Sequence, residues 1–107
     1  MEIETNEWME ALKRVLTSRF NVKQIILFGS RAYGRPDADS DIDLCVVADL
    51  RNKRKIEVIR AIRQELVTFI TAPLDILVYS EKEFIDRSRL KSTLEHKIMS
   101  DGVYIYG

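Results

Sequence analysis

The sequence predicts an α/β domain of the α+β kind, a small mixed β-sheet flanked by helices. Apolar residues recur at helical spacing in three stretches, and short apolar runs of strand length lie between them. The order of elements is therefore α-β-(turn)-β-α-β-α. The polar turn between the first two runs is too short for a crossover, so those strands pair antiparallel. The second and third runs are separated by a helical stretch long enough for a parallel crossover, and the sheet is mixed.

Trp8, Leu12, Val15, Leu16 and Phe20 set an amphipathic helix from about Asn6 to Phe20, with Lys13, Arg14 and Arg19 on its outer face. Trp8 lies on the apolar stripe and reads as a core anchor. Val22 leads into a strand whose apolar run is Gln24 to Phe28, closed by Gly29-Ser30. Arg31-Ala32-Tyr33 has room for one helical turn before Gly34, and Arg35 to Ser40, polar and carrying Pro36, reads as an exposed turn. A second strand spans Asp41 to Ala48, and Asp49 to Lys53 is a polar link. Ile56, Ile59, Ile62, Leu66, Phe69 and Ile70 form the next helical stripe, with the Lys53-Arg54-Lys55 run as a solvated face. Pro73 breaks that helix, and Leu74 to Tyr79 is a third strand. Ser80-Glu81-Lys82-Glu83 fits a capping box, after which Phe84, Ile85, Leu90, Leu94 and Ile98 continue one helical stripe toward Asp101 and Gly102. Val103 to Tyr106 is a short edge strand or a docking tail.

The composition, 46% hydrophobic and 32% charged over 107 residues, is that of one globular domain, residues 1–107. Lys plus Arg (17) balance Asp plus Glu (17), so no global positive field draws the chain to long nucleic acid or to an anionic membrane. Met1 to Thr5 lacks a basic segment with an apolar stretch behind it, and no window approaches the roughly 20 apolar residues of a membrane span. Cys45, the single cysteine, cannot form an internal disulfide and reads as a small buried hydrophobe. The expected location is the cytoplasm.

The chemistry concentrates in Ile25 to Val47, IILFGSRAYGRPDADSDIDLCVV. Backbone N–H groups at Gly29-Ser30 can face an anion. Asp41, Ile42, Asp43 and Leu44 alternate, so in a strand the two carboxylates share one face while Ile42 and Leu44 point into a core. Carboxylates so close repel unless a cation lies between them. Asp75, the only charge in the third strand, is costly to bury unpaired, and beside strand two it would bring three carboxylates to one sheet edge. All-oxygen clusters suit hard cations, and Mg²⁺ binds through one or two carboxylates plus substrate phosphates. Ser30 and Arg31 would hold further phosphate charge. Two ions about 3.5–4 Å apart would both activate an acceptor oxygen and stabilise a leaving pyrophosphate.

Other chemistries fail on residue identity. Asp37, Asp39, Asp41 and Asp43 imitate the start of an EF-hand, but Ile42 stands where the glycine is required and Ala48 where the bidentate glutamate is required. The Gly-x4-Gly-Lys of a P-loop is missing. The one histidine, His96, lies among charged residues of the C-terminal helix and reads as a surface residue.

GSRAYG followed by DSDIDL, with the later strand LDILV, resembles the minimal nucleotidyltransferases of the DNA polymerase β superfamily. The pattern there is G-S-R-A-x-G, then D-x-D, then a third carboxylate. The resemblance covers nearly the whole chain and implies the nucleotidyltransferase fold. It implies that Gly29 and Ser30 hold the triphosphate, that Asp41 and Asp43 bind Mg²⁺, and that Asp75 completes the metal site or serves as base. Tyr33 stands where many relatives have arginine. Proteins this small resemble the antitoxin half of prokaryotic pairs with a HEPN-domain toxin, which transfer AMP from ATP to a tyrosine of the toxin. The expectation is thus a Mg²⁺-dependent protein adenylyltransferase with a HEPN toxin as partner, in a homo- or hetero-oligomer. The alternatives are the catalytic part of a small-molecule adenylyltransferase of the aminoglycoside type, and an antitoxin that neutralises by binding alone.

Overall fold

A four-stranded sheet in the order β3-β2-β1-β4 organises the computed structural model, which describes the backbone of residues 2–29 and 41–107 and the side chains of residues 8–29 and 41–107. Its elements are α1 (Glu2–Arg19), β1 (Val22–Phe28), β2 (Ile42–Ala48), α2 (Lys55–Leu66), β3 (Leu74–Tyr79), α3 (Glu81–Ser88), α4 (Leu94–Asp101) and β4 (Val103–Tyr106). The turns expected at Arg31 to Tyr33 and Arg35 to Ser40 lie outside the described residues. β1 pairs antiparallel with β2 and β2 parallel with β3, as the connection lengths require. The C-terminal run is a strand, β4, antiparallel to β1.

Both faces of the sheet are covered, which is why the central strands read as continuous apolar runs. On one face Ile25, Leu27, Leu44, Val46, Ile76 and Val78 pack with Leu12 and Leu16 of α1 and with Val58, Ile62 and Leu66 of α2. On the other, Ile26, Phe28, Cys45, Val47 and Tyr79 pack with Phe84 of α3 and Ile98 of α4. Each fully buried Leu or Ile contributes about 1.5–3 kcal/mol, so the first and larger cluster supplies most of the hydrophobic stability. Among the described residues no helix is long and apolar enough to cross a membrane.

Three boundaries differ from expectation. α1 starts at Glu2 and not at Asn6, because periodicity marks only the turns that pack. α2 ends at Leu66; Phe69 and Ile70 follow in turns closed on the Leu66 carbonyl (3.1 and 2.9 Å), from which Ile70 still reaches the core. The single stripe expected from Ser80 to Asp101 is two helices. Ser80 caps α3 by accepting the Glu83 N–H (3.2 Å). Thr93 caps α4 by accepting the His96 N–H (3.1 Å), while its own hydroxyl donates to the carbonyls of Leu90 (2.7 Å) and Arg87 (3.0 Å). Leu90 and Leu94 keep helical spacing yet are exposed; the buried positions of this region are Phe84, Ser88, Glu95 and Ile98. His96 is likewise no free surface residue. It is half-buried, and its Nδ1 lies 2.9 Å from the Ser88 carbonyl; a carbonyl only accepts, so Nδ1 carries the proton and ties α4 to α3.

Candidate active site

The face beneath α3 and α4 is built in tiers set by register. Gln24, Val47 and Tyr79 align across β1, β2 and β3; Ile26, Cys45 and Leu77 form the next tier; Phe28, Asp43 and Asp75 form the last. Alternation keeps all three tiers on one face, so an apolar surface ends in two aligned carboxylates where β1 stops. Asp75 is exposed at the start of β3 and Asp43 is half-buried at the centre of its tier. Asp41 lies one position ahead of β2 and is exposed.

Gly29 follows β1 with φ +78°, a left-handed conformation that L side chains rarely adopt. A Cβ built on it would run into the Asp43 carboxylate. Glycine therefore suits this position, and Gly29 lies directly against the Asp43 carboxylate. Ser30, Arg31 and Tyr33, the other positions singled out in the turn, lie outside the described residues.

Electrostatics couples the three acids. The Asp43 carboxyl is pushed above the usual carboxylate range by burial first, then by the charge of Asp75, then by that of Asp41. Among the described residues no three acid, histidine or cysteine side chains are drawn together into a ready metal-binding group, so the carboxylates face one region without closing around a point. The donor set is nevertheless all oxygen, as hard divalent cations prefer, and a cation among these groups would relieve the repulsion that raises Asp43. Asp43, Asp75 and Asp41 are the residues that would hold it.

At the opposite end of the same face is a polar pair that sequence reading missed. Glu95 is buried, and its Oε2 accepts the Tyr79 hydroxyl at 2.5 Å. Burial and then the hydrogen bond and charge of Glu95 push the Tyr79 hydroxyl above its ordinary range. The Cys45 thiol, fully buried and free, is pushed up to about 12 by burial and then by Glu95, which makes it inert. The signal for Glu95 was its place three residues before Ile98 on the buried stripe. Lys55 also leaves the solvated run: half-buried, it pairs with Glu83 (2.5 Å) and lies 5.2 Å from the centre of the Tyr79 ring.

A mixed sheet with helices on both faces thus carries a glycine turn after β1 and carboxylates near the starts of β2 and β3. The sequence pattern of the family described as "Nucleotidyltransferase domain" matches residues 9–100, and the chain belongs to that family and is a nucleotidyltransferase. Such domains generally use nucleoside triphosphates and divalent metals. The chain is 27% identical over 96 residues to a Methanocaldococcus jannaschii protein named "Putative protein adenylyltransferase", an alignment covering 90% of this chain and 93% of that one. A crystal structure from Sulfolobus solfataricus, of a protein named "putative nucleotidyltransferase", superposes with a TM-score of 0.49 at 24% identity, over 94% of this chain and 74% of that one.

Proposed function

We propose that this protein transfers AMP from ATP, with Mg²⁺, to a tyrosine hydroxyl of a partner HEPN-domain toxin and so acts as its antitoxin. The alignment of Asp43 with Asp75 beside the Gly29 turn is the observation that carries this reading. In the reaction the acceptor oxygen bonds to the α-phosphorus, the bond from that phosphorus to the bridging oxygen breaks, and pyrophosphate leaves with the electron pair. Asp75, exposed at the rim, would take the acceptor proton or complete the metal site with Asp41 and Asp43. Bound Mg²⁺ would supply charge neutralisation for the triphosphate and the departing pyrophosphate. Gly29 and the adjoining Ser30 and Arg31 would orient the phosphates, and positioning with charge neutralisation is most of what phosphoryl chemistry demands.

A protein acceptor is supported by the relative named for adenylylating proteins and by the exposure of Asp41 and Asp75, which leaves them open to a hydroxyl brought from outside. The test is incubation with ATP labelled at the α-phosphate, Mg²⁺ and a purified HEPN toxin, with the product mapped by mass spectrometry. The expected outcome is one AMP adduct on a toxin tyrosine together with loss of toxin activity. Toxin inactivated without an adduct, or labelled equally well by Asp41→Ala and Asp43→Ala, contradicts the proposal.

A further inference from the structure

At the end of the sheet opposite the carboxylates, the structure holds a cavity of about 370 Å³ between the end of α1, the end of β2 and the β2–α2 link. Its walls mix apolar surface from Phe20 and Leu50 with three cations, Arg19, Arg51 and Lys53, against one acid, Asp49. We propose that this cavity is a second ligand site that takes a small phosphorylated molecule of about mononucleotide size.

The cations are differently committed. Arg19 is braced by Glu65 at 2.8 Å, Arg51 is only loosely near Asp49 (3.9 Å), and Lys53 makes no ion pair among the described residues. Asp49 is spent on scaffolding. Its Oδ1 accepts the Arg51 N–H (3.1 Å), its Oδ2 accepts from the Asn21 side chain (3.3 Å), and its own N–H donates to the Asn21 carbonyl (2.9 Å). These bonds fasten the link to the α1–β1 junction and leave Lys53, beside the weakly held Arg51, to meet an anion.

The link itself is a tight turn. Lys53 N–H donates to the Leu50 carbonyl at 2.9 Å, and the two central residues, Arg51 and Asn52, have φ of 51° and 69°. Both angles are left-handed, as in a type I′ turn, where glycine or asparagine is the comfortable occupant and arginine is not. An arginine held there, with Lys53 two residues on, brings guanidinium and ammonium donors to one rim, and a guanidinium fork suits phosphate oxygens.

The size and lining favour a small molecule over a macromolecule. The volume falls within the range of about 300–1,000 Å³ typical of small-molecule sites, and the apolar wall offers a face to a base or another ring. The cavity adjoins the Val22–Ala48 pair, six positions along β1 from the Phe28–Asp43 pair, which at ~3.3 Å per residue is about 20 Å. A ligand held here therefore cannot touch the reacting phosphorus. It would meet the opposite end of β2, the strand that carries Asp43.

Amide NMR titrations of the protein without Mg²⁺ test this, with AMP in one arm and inorganic phosphate in the other. Saturable shifts at Asn21 and Asp49 to Lys53 are expected with AMP, and weaker shifts at the same amides with phosphate. Arg51→Asn, which suits a positive φ, combined with Lys53→Gln should weaken AMP binding on the order of tenfold or more. Lys53→Gln alone, which leaves the two central turn residues and the closing backbone N–H untouched, should weaken it in the same direction. Undiminished shifts in Asp43→Asn would separate this cavity from the active site. The proposal is overturned if those amides do not shift saturably at millimolar AMP, if shifts are confined to Gly29 and Asp41 to Asp43, if the charge-removing variants bind equally well, or if an acidic peptide binds there more tightly than AMP.

Discussion

Single residues show how this chain separates reactive charge from structural charge. Asp43 and Glu95 lie toward opposite ends of one sheet face, and their surroundings differ. Asp43 is half-buried with like charges around it, whereas Glu95 is buried against a hydroxyl that donates to it. Replacing Tyr79 by Phe would leave the Glu95 carboxylate buried without that donor, at a cost of about 1–3 kcal/mol in urea denaturation. The pH dependence follows from the raised Tyr79 hydroxyl. A group with its folded value above the ordinary 10 contributes stability in full below pH 10 and loses it as pH climbs toward the folded value. The wild-type chain should therefore lose stability above pH 10, and Tyr79→Phe should flatten that decline; parallel declines would show that the pair contributes nothing. The shared face of Asp41 and Asp43 was legible from the alternation of acid and apolar residues, because a period of two needs no tertiary knowledge; Asp75 stood out only as the one charge of an apolar strand, and its place beside Asp43 needed the strand order. Glu95 was hidden because an acid at a helical position looks solvated until its partner, sixteen residues away, is known.

At the scale of elements, the register of β2 against β3 turns two local patterns into a site. Each strand carries an acid at its second position, and the parallel register pairs Ile42 with Leu74, so Asp43 meets Asp75 directly. Connection length makes the parallel direction readable in advance, but that β3 lies beside β2 is given only by the sheet order. The break between α3 and α4 was not readable by the same means, since Leu90, Leu94 and Ile98 keep helical spacing across it. What decides the break is Thr93, whose side chain competes with the backbone for hydrogen bonds and starts a new helix. Thr93→Ala should cost about 1 kcal/mol of stability, with amide exchange accelerated first in α4 and the adjoining β4. Unchanged exchange in α4 would mean that the helix is held by Ile98 and Glu95 alone.

For the whole molecule, a formal charge of zero conceals a division between the two ends of the sheet. Carboxylates stand where β1 ends and β3 begins, and Arg19, Arg51 and Lys53 gather where β1 begins and β2 ends. Net charge weighs against a long polyanion but says nothing of this arrangement, which arises only when the strands are laid side by side. The apolar faces were legible as runs and stripes; the cavity was not, because its lining comes from segments that no spacing rule connects. Gly29 and the carboxylate tier together are expected to bind a metal-bound nucleotide. Calorimetric titration of the protein with ATP, with and without Mg²⁺, tests it most directly when repeated on Asp43→Asn. That variant loses a repulsive neighbour of Asp75 and should fold at least as stably as the parent, so lost binding would not reflect lost structure. With the cationic cavity silenced by Arg51→Asn and Lys53→Gln in every sample, saturable binding that requires Mg²⁺ and disappears when Asp43→Asn is added is the predicted result; binding of equal strength without Mg²⁺, or with Asp43→Asn, would contradict this.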